Sequence, residues 1–383
     1  MSEVTVGVVA LCALLALFMT GMEMGFAMAI VGFAGYVVLV SLKGAMAMLA
    51  KDFYDTFASY GYTVIPLFVL MGQVSLNSGI ANRLYNSANR FLGHIPGGLA
   101  LATVAGVTCF KTICGSAAAT SATFASVAVP EMDRFGYSKK LSTGIVAVSG
   151  TLGVLLPPSV VLIIFGMVTE QSIGRLFLAG LVPGLVLAAL FAAVIAVWCR
   201  RNPEVGPRSA RCSWRERIAS LVEAAWPLAI FVIIVGGLMG GLFTPTEAGS
   251  VGTLAVILLA VSRRDINFRG LRKSIVESLR TACMVLTLIA SSTVLGHFIA
   301  VTNIPSLAAD WVAGLDIHRH IVMILVFLIY LAGGSIIDDL AFLILATPIF
   351  FPAIIGLGYD PLWAGILICL SVVVGGVIPP VAM

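Results

Sequence analysis

Four short stretches place hydroxyls, glycines and prolines inside otherwise apolar sequence. Two read "CGSAAATSA" (114–122) and "GGSIIDD" (333–339), and two read "SGTLGVLLPP" (149–158) and "SVVVGGVIPP" (371–380). Proline lacks a backbone donor and clashes with the carbonyl one turn back, so the pairs Pro157-Pro158 and Pro379-Pro380 each break a helix. Carbonyls freed in this way, together with nearby hydroxyls, are oxygen ligands suited to an alkali cation, and half-helix N-termini suit an anion. A first candidate cation set is Gly115, Ser116, Ser149, Gly150 and Thr151. A second is Gly334, Ser335, Ser371, Gly375 and the carbonyl of Ile378. Ser116, Thr120, Lys111 and Asp338 are candidate contacts for a small anion, with Ser121 beside them.

Each candidate also has a plainer reading. Small residues let helices pack closely, and Asp338 or Asp339 in the second stretch can serve as an N-cap instead of supporting the tip or the ion site. Lys111 either attracts a carboxylate or snorkels. Glu23 and Glu247 sit at turns between paired spans, where a helix-turn role is expected. Arg83 and Arg90 fall on a predicted helix whose charged face suits lipid headgroups. His318-x-His320 lies in an outer loop and is no metal motif. Seven dispersed cysteines, without CxxC pairs, read as small apolar packers.

The surroundings of these stretches follow from composition. Of 383 residues 60% are hydrophobic and 10% charged, with a mean hydropathy of +1.08. Soluble domains are about half apolar and a quarter charged, so the chain reads as an all-α polytopic membrane protein. A net charge of +4 is too small to suggest nucleic acid as a partner. Apolar segments fall at 5–22, 25–42, 60–77, 98–130, 141–169, 176–199, 224–243, 248–262, 282–302, 321–352 and 361–383. The first lacks a basic leading region and reads as a span rather than a cleaved signal. Irregular backbone at membrane depth is tolerated only when buried in protein or lining a wet cavity. Segments 98–130 and 321–352 are therefore expected to be re-entrant hairpins, and 141–169 and 361–383 broken helices.

Sidedness comes from lysine and arginine. With the loop 199–217 and its six arginines placed in the cytoplasm, 17 of the 22 basic residues fall inside, four outside, and Lys111 within a hairpin. The amino terminus is then outside. Shifting the chain by 222 residues superposes Gly136-Tyr137 on Gly358-Tyr359, Ser149 on Ser371, Gly153 on Gly375 and Pro157-Pro158 on Pro379-Pro380. The first repeat, 1–217, starts outside and the second, 218–383, starts inside, which makes an inverted repeat of the kind many secondary transporters use.

With these motifs in view, "CGSAAATSATFASVAVPEM", "SGTLGVLLPPSVVLIIFG", "GLFTPTEAGSVG" and "ATPIFFPAIIGLGYDP" resemble the large membrane subunit of the tripartite ATP-independent periplasmic (TRAP) transporters, of DctM type. The resemblance runs over essentially the whole chain. It implies an elevator-type fold akin to the ion transporter superfamily, with two hairpins, two broken helices and arm helices matching 79–95 and 267–280. It further implies a multi-pass protein of the bacterial inner membrane that imports small organic acids with Na⁺ as coupling ion and no other cofactor. The implied partners are a small DctQ-type membrane subunit, a periplasmic DctP-type binding protein and membrane lipid.

Three departures stand out. The family runs on beyond the second Pro-Pro, so this sequence reads as truncated at "PPVAM". Ser371 and Ile378 replace an Asn and a Thr usual in relatives, which removes a hydroxyl ligand before the second proline pair. Lys111 stands where relatives usually have a small or neutral residue. A stand-alone Na⁺/dicarboxylate symporter is the alternative function. An intramembrane protease is poorly supported, since His297 is the one histidine within a span and has no GxSG partner.

Overall fold

The computed structural model describes residues 2–209, 211–304, 307 and 318–378. Pro379 and Pro380 lie outside them. The described residues contain helices and no strands, and six helices are long and apolar enough to cross a membrane. The chain divides into two compact units. They do not follow the sequence repeats, because each takes pieces from both.

One unit comprises Met1–Thr63, Ile164–Gln171 and Arg280–Gly376. It holds α1 (Glu3–Met19), α2 (Met24–Leu39) and α3 (Leu42–Ala58), with the later part of α13 (Phe268–Val301). It also holds α14 (Arg319–Ile336), α15 (Asp339–Gly356) and α16 (Pro361–Gly375). The hairpin expected at 321–352 is α14 and α15, joined through Ile337 and Asp338. Helix α2 approaches α13 along a seam of small residues: a Cβ at Gly25 would lie 3.7 Å from the Leu288 backbone, and one at Gly32 only 2.8 Å from that of Leu295. Spacing of seven on both helices is what a shallow crossing requires.

The other unit comprises Val64–Ile163, Ser172–Leu279 and Val377–Met383. It holds α4 (Val64–Asn77), α5 (Ile80–Leu92), α6 (Gly98–Lys111), α7 (Ala117–Arg134) and α8 (Lys139–Thr151). It also holds α10 (Ile173–Arg201), α11 (Trp214–Met239), α12 (Pro245–Ser262) and the start of α13. The hairpin expected at 98–130 is α6 and α7. The broken helix expected at 141–169 is α8, a 3-10 turn at Leu152–Val154, an irregular stretch through the two prolines, and α9 (Val160–Val168), along which the boundary between units falls.

Local chemistry sets these boundaries. Ser213 and Thr244 each form a capping box with a glutamate three residues on, Glu216 and Glu247, so Glu247 does hold a helix start. Glu23 occupies the N-cap of α2 without a side-chain bond. The repeat is visible in the turns. Gly136 and Gly358 both take left-handed φ, +76° and +81°, as the residue after each hairpin. The tyrosine that follows reaches back in each case: Tyr137 Oη accepts from the Leu99 N–H at 3.1 Å, and Tyr359 Oη lies 2.7 Å from His320 Nδ1. Both contacts tie the end of a hairpin to its beginning. Burial pushes the Tyr137 phenol up to about 12, so it stays protonated in any physiological buffer.

Three expectations are corrected. Residues 43–58, outside every expected span, belong to α3, where Lys43, Lys51, Asp52 and Asp55 lower the hydropathy of an otherwise largely apolar helix. The arm at 267–280 and the span at 282–302 are one continuous helix, α13, because no glycine or proline lies between Gly270 and Gly296. Arg83 and Arg90 are not committed to lipid headgroups: Arg83 pairs with Asp265, and Arg90 Nη1 donates to the Glu216 carbonyl at 3.1 Å.

The seam predicts a contrast. Gly32→Val overpacks the contact with Leu295 and lowers stability by about 1–3 kcal/mol. Gly236→Val, where a Cβ meets nothing within 4 Å, leaves it unchanged. Thermal unfolding of the detergent-solubilised protein reads both.

Candidate functional site

The first candidate set is assembled within one unit. Helix α6 ends at Lys111, and Thr112 to Gly115 form the tip. Ser116 then caps α7, its Oγ accepting from the Ala119 N–H at 3.3 Å. The tip rests on the broken helix: a Cβ at Gly115 would meet the Pro158 carbonyl oxygen at 3.3 Å and the Val160 nitrogen at 3.4 Å. Ser121 Oγ lies directly on Gly150, in the space a Cβ would fill. Ser149, Gly150 and Thr151 are buried at the end of α8, as is Thr120 at the start of α7. The structure thus brings Gly115, Gly150 and Ser121 to one break, while Ser116 is exposed at the tip.

Hydroxyl geometry here is compatible with cation ligation. Thr151 Oγ1 donates to the Val148 carbonyl at 2.7 Å, and Thr120 Oγ1 to the Ser116 carbonyl at 2.9 Å. A hydroxyl that spends its proton on a carbonyl keeps its lone pairs. Those lone pairs are what a hard cation uses.

The second set packs more tightly. A Cβ on Gly334 would overlap the Val372 carbonyl oxygen, and one on Gly375 would overlap the Leu331 carbonyl oxygen and lie 3.1 Å from the Gly334 backbone. Hairpin and helix therefore touch backbone to backbone, which only glycine permits at both places. Ser335 is buried beside Gly334, its Oγ donating to the Ala332 carbonyl at 2.7 Å. Ser371 is half-buried on α16, one residue before Val372. Ile378 stands exposed on a bend three residues past Gly375.

Two anion candidates look different in three dimensions. Asp338 is the N-cap of α15, its Oδ1 accepting from the Leu340 and Ala341 N–H groups at 3.1 and 3.2 Å. Lys111 does not reach for the exposed tip. Its side chain is fully buried and runs across Gly153, where a Cβ would overlap Cδ, Cε and Nζ.

One polar pair escaped the sequence reading. Asp52 on α3 is buried, and its Oδ2 lies 2.8 Å from His297 Nδ1 on α13. His297 lines a cavity of about 440 Å³ together with Tyr62, Glu170, Ser292 and Thr293. The available signal was an acid on one helix and a lone histidine on another, far apart in sequence, which no motif joins.

Six candidate spans among the described residues, with paired hairpins and glycine-mediated helix breaks, mark a multi-pass membrane protein. The family model for the "Tripartite ATP-independent periplasmic transporter, DctM component" matches residues 11–383. The C4-dicarboxylate TRAP transporter large permease protein DctM of Pseudomonas aeruginosa is 35% identical over 347 residues, spanning 90% of this chain and 81% of that protein. The ectoine TRAP transporter large permease protein TeaC of Halomonas elongata is 31% identical, spanning 96% and 86%. In three dimensions the YdaH transporter of Alcanivorax borkumensis superposes with a TM-score of 0.63 at 13% identity, covering 90% of this chain and 80% of that one, a likeness of fold alone. The chain belongs to the DctM family, the large permease components of TRAP transporters. Its relatives are permeases rather than enzymes.

The cap predicts how Asp338 responds to substitution. Asp338→Ala costs about 1 kcal/mol, while Asp338→Ser and Asp338→Asn, which also cap, cost a few tenths. If the carboxylate instead contacts substrate, uptake falls equally in all three variants, and transport assays with purified protein separate the outcomes.

Proposed function

We propose that this chain is the large subunit of a Na⁺-coupled importer of small organic acids across a bacterial inner membrane. Its partners are a small DctQ-type membrane subunit and a periplasmic DctP-type binding protein. The observation that carries the reading is the backbone-on-backbone seating of a hairpin tip against an interrupted helix, Gly334 and Gly375 in one unit and Gly115 on Pro158 in the other. At Gly334 and Gly375 the close backbone approach leaves no room for a side chain between tip and helix, which leaves backbone oxygens as ligands for a desolvated cation.

Na⁺ binds where a hairpin tip meets its broken helix and orders the tip. The binding protein docks outside and hands over an anion, which Ser116 and Thr120 contact. An elevator-type displacement then exposes the anion to the cytoplasm. Relatives named for C4-dicarboxylates, ectoine and sialic acid support a small carboxylate-bearing substrate without choosing among them. A stand-alone Na⁺/dicarboxylate symporter is less favoured, since the family model matching residues 11–383 is that of a component of a tripartite transporter.

Uptake into proteoliposomes carrying the co-purified membrane subunits tests the reading. Accumulation requires both an inward Na⁺ gradient and the binding protein, and Ser371→Ala raises the Na⁺ concentration for half-maximal uptake several-fold. Accumulation without the binding protein identifies a stand-alone symporter, and accumulation indifferent to Na⁺ overturns the coupling.

A further inference from the structure

The first break carries a feature that the second lacks. In a continued helix the carbonyls of Gly153 and Val154 would accept from residues 157 and 158, and both are proline. Across Gly153 lies the side chain of Lys111, with Cδ, Cε and Nζ in the space a Cβ would fill, in a residue wholly closed to solvent. Lys111 ends α6, and Gly153 lies two residues beyond the end of α8. The C-terminal ends of helices carry partial negative charge and favour a cation nearby. An ammonium and a desolvated Na⁺ are both monovalent cations that seek carbonyl oxygens.

The matching position in the second hairpin is Tyr330, four residues before Gly334 as Lys111 is four before Gly115. Tyr330 is also fully buried, and it brings no positive charge. Among the described residues the two breaks therefore differ in whether a basic side chain lies against them.

We infer that Lys111 is a tethered cation that occupies the first hairpin and broken-helix site, so that coupling Na⁺ binds at the second site alone. The inference rests on the proposed cation role of these sites. It makes Lys111 a residue that sets ion stoichiometry rather than one that greets the substrate.

Equilibrium binding of radiolabelled Na⁺ to the purified membrane subunits, with choline chloride holding ionic strength constant, tests it. The wild type saturates at one Na⁺ per chain, and Lys111→Ala, which vacates the site, saturates at two. Equal counts in both proteins, or two in the wild type, overturn the inference. The difference between the proteins reports on Lys111, and the wild-type count reports on the second site. A wild-type count of zero therefore defeats Na⁺ coupling at the second site, while a gain of one in the variant still upholds the tethered cation. Should Lys111→Ala fail to fold, Lys111→Ser gives the same comparison with a small hydroxyl in place of the chain.

Discussion

The fold depends on one constraint: in a low-dielectric interior every backbone carbonyl and N–H needs a partner. Regular helices meet it within themselves, and most of this chain is regular helix. Within the hairpins and broken helices the interruptions are local, at Thr112–Ser116, Leu152–Ser159, Ile337–Asp338 and the turn after Gly375. At each, the helix has ended while the chain is still packed against other helices. Glycine lets a second backbone come close, serine and aspartate cap the helix that follows, and proline keeps the break from healing. What these breaks leave over is oxygen, and oxygen is what a small cation requires.

The same punctuation serves two sets of contacts. Gly136-Tyr137 and Gly358-Tyr359 close their hairpins alike, by a left-handed glycine and a tyrosine that reaches back to the hairpin's first helix. The tips do not match. The second seats backbone directly on backbone through Gly334 and Gly375, whereas at the corresponding Gly153 a lysine side chain intervenes. Matching punctuation keeps the turns alike and leaves the charge at the tips free to diverge.

Both hairpins and the first break were legible because glycine and proline act locally, and the matching turns at Gly136 and Gly358 could be read from an offset of 222 residues. What was not legible depended on distant parts of the chain or on faces. Helix α3 carries Lys43, Lys51, Asp52 and Asp55 among its apolar residues, and a hydropathy sum averages the two together. A change in hydropathy at residue 280 suggested a boundary in α13, but polarity does not end a helix when neither a cap nor a breaker is present. Asp52 and His297 meet across 245 positions, and nothing in either neighbourhood announces the other. Lys111 was recognisable as out of place; that it crosses Gly153 rather than facing the tip required its side chain.

The central claim is that interrupted backbone at a hairpin tip and its partner helix holds a coupling cation. Hydrogen exchange read by mass spectrometry tests it without relying on transport, by following peptides covering 331–342 and 366–378 in NaCl and in KCl. Slower exchange in Na⁺ at these two segments, with the peptides of α11 and α12 unchanged, is the predicted result. Identical exchange in the two salts at both segments would contradict it.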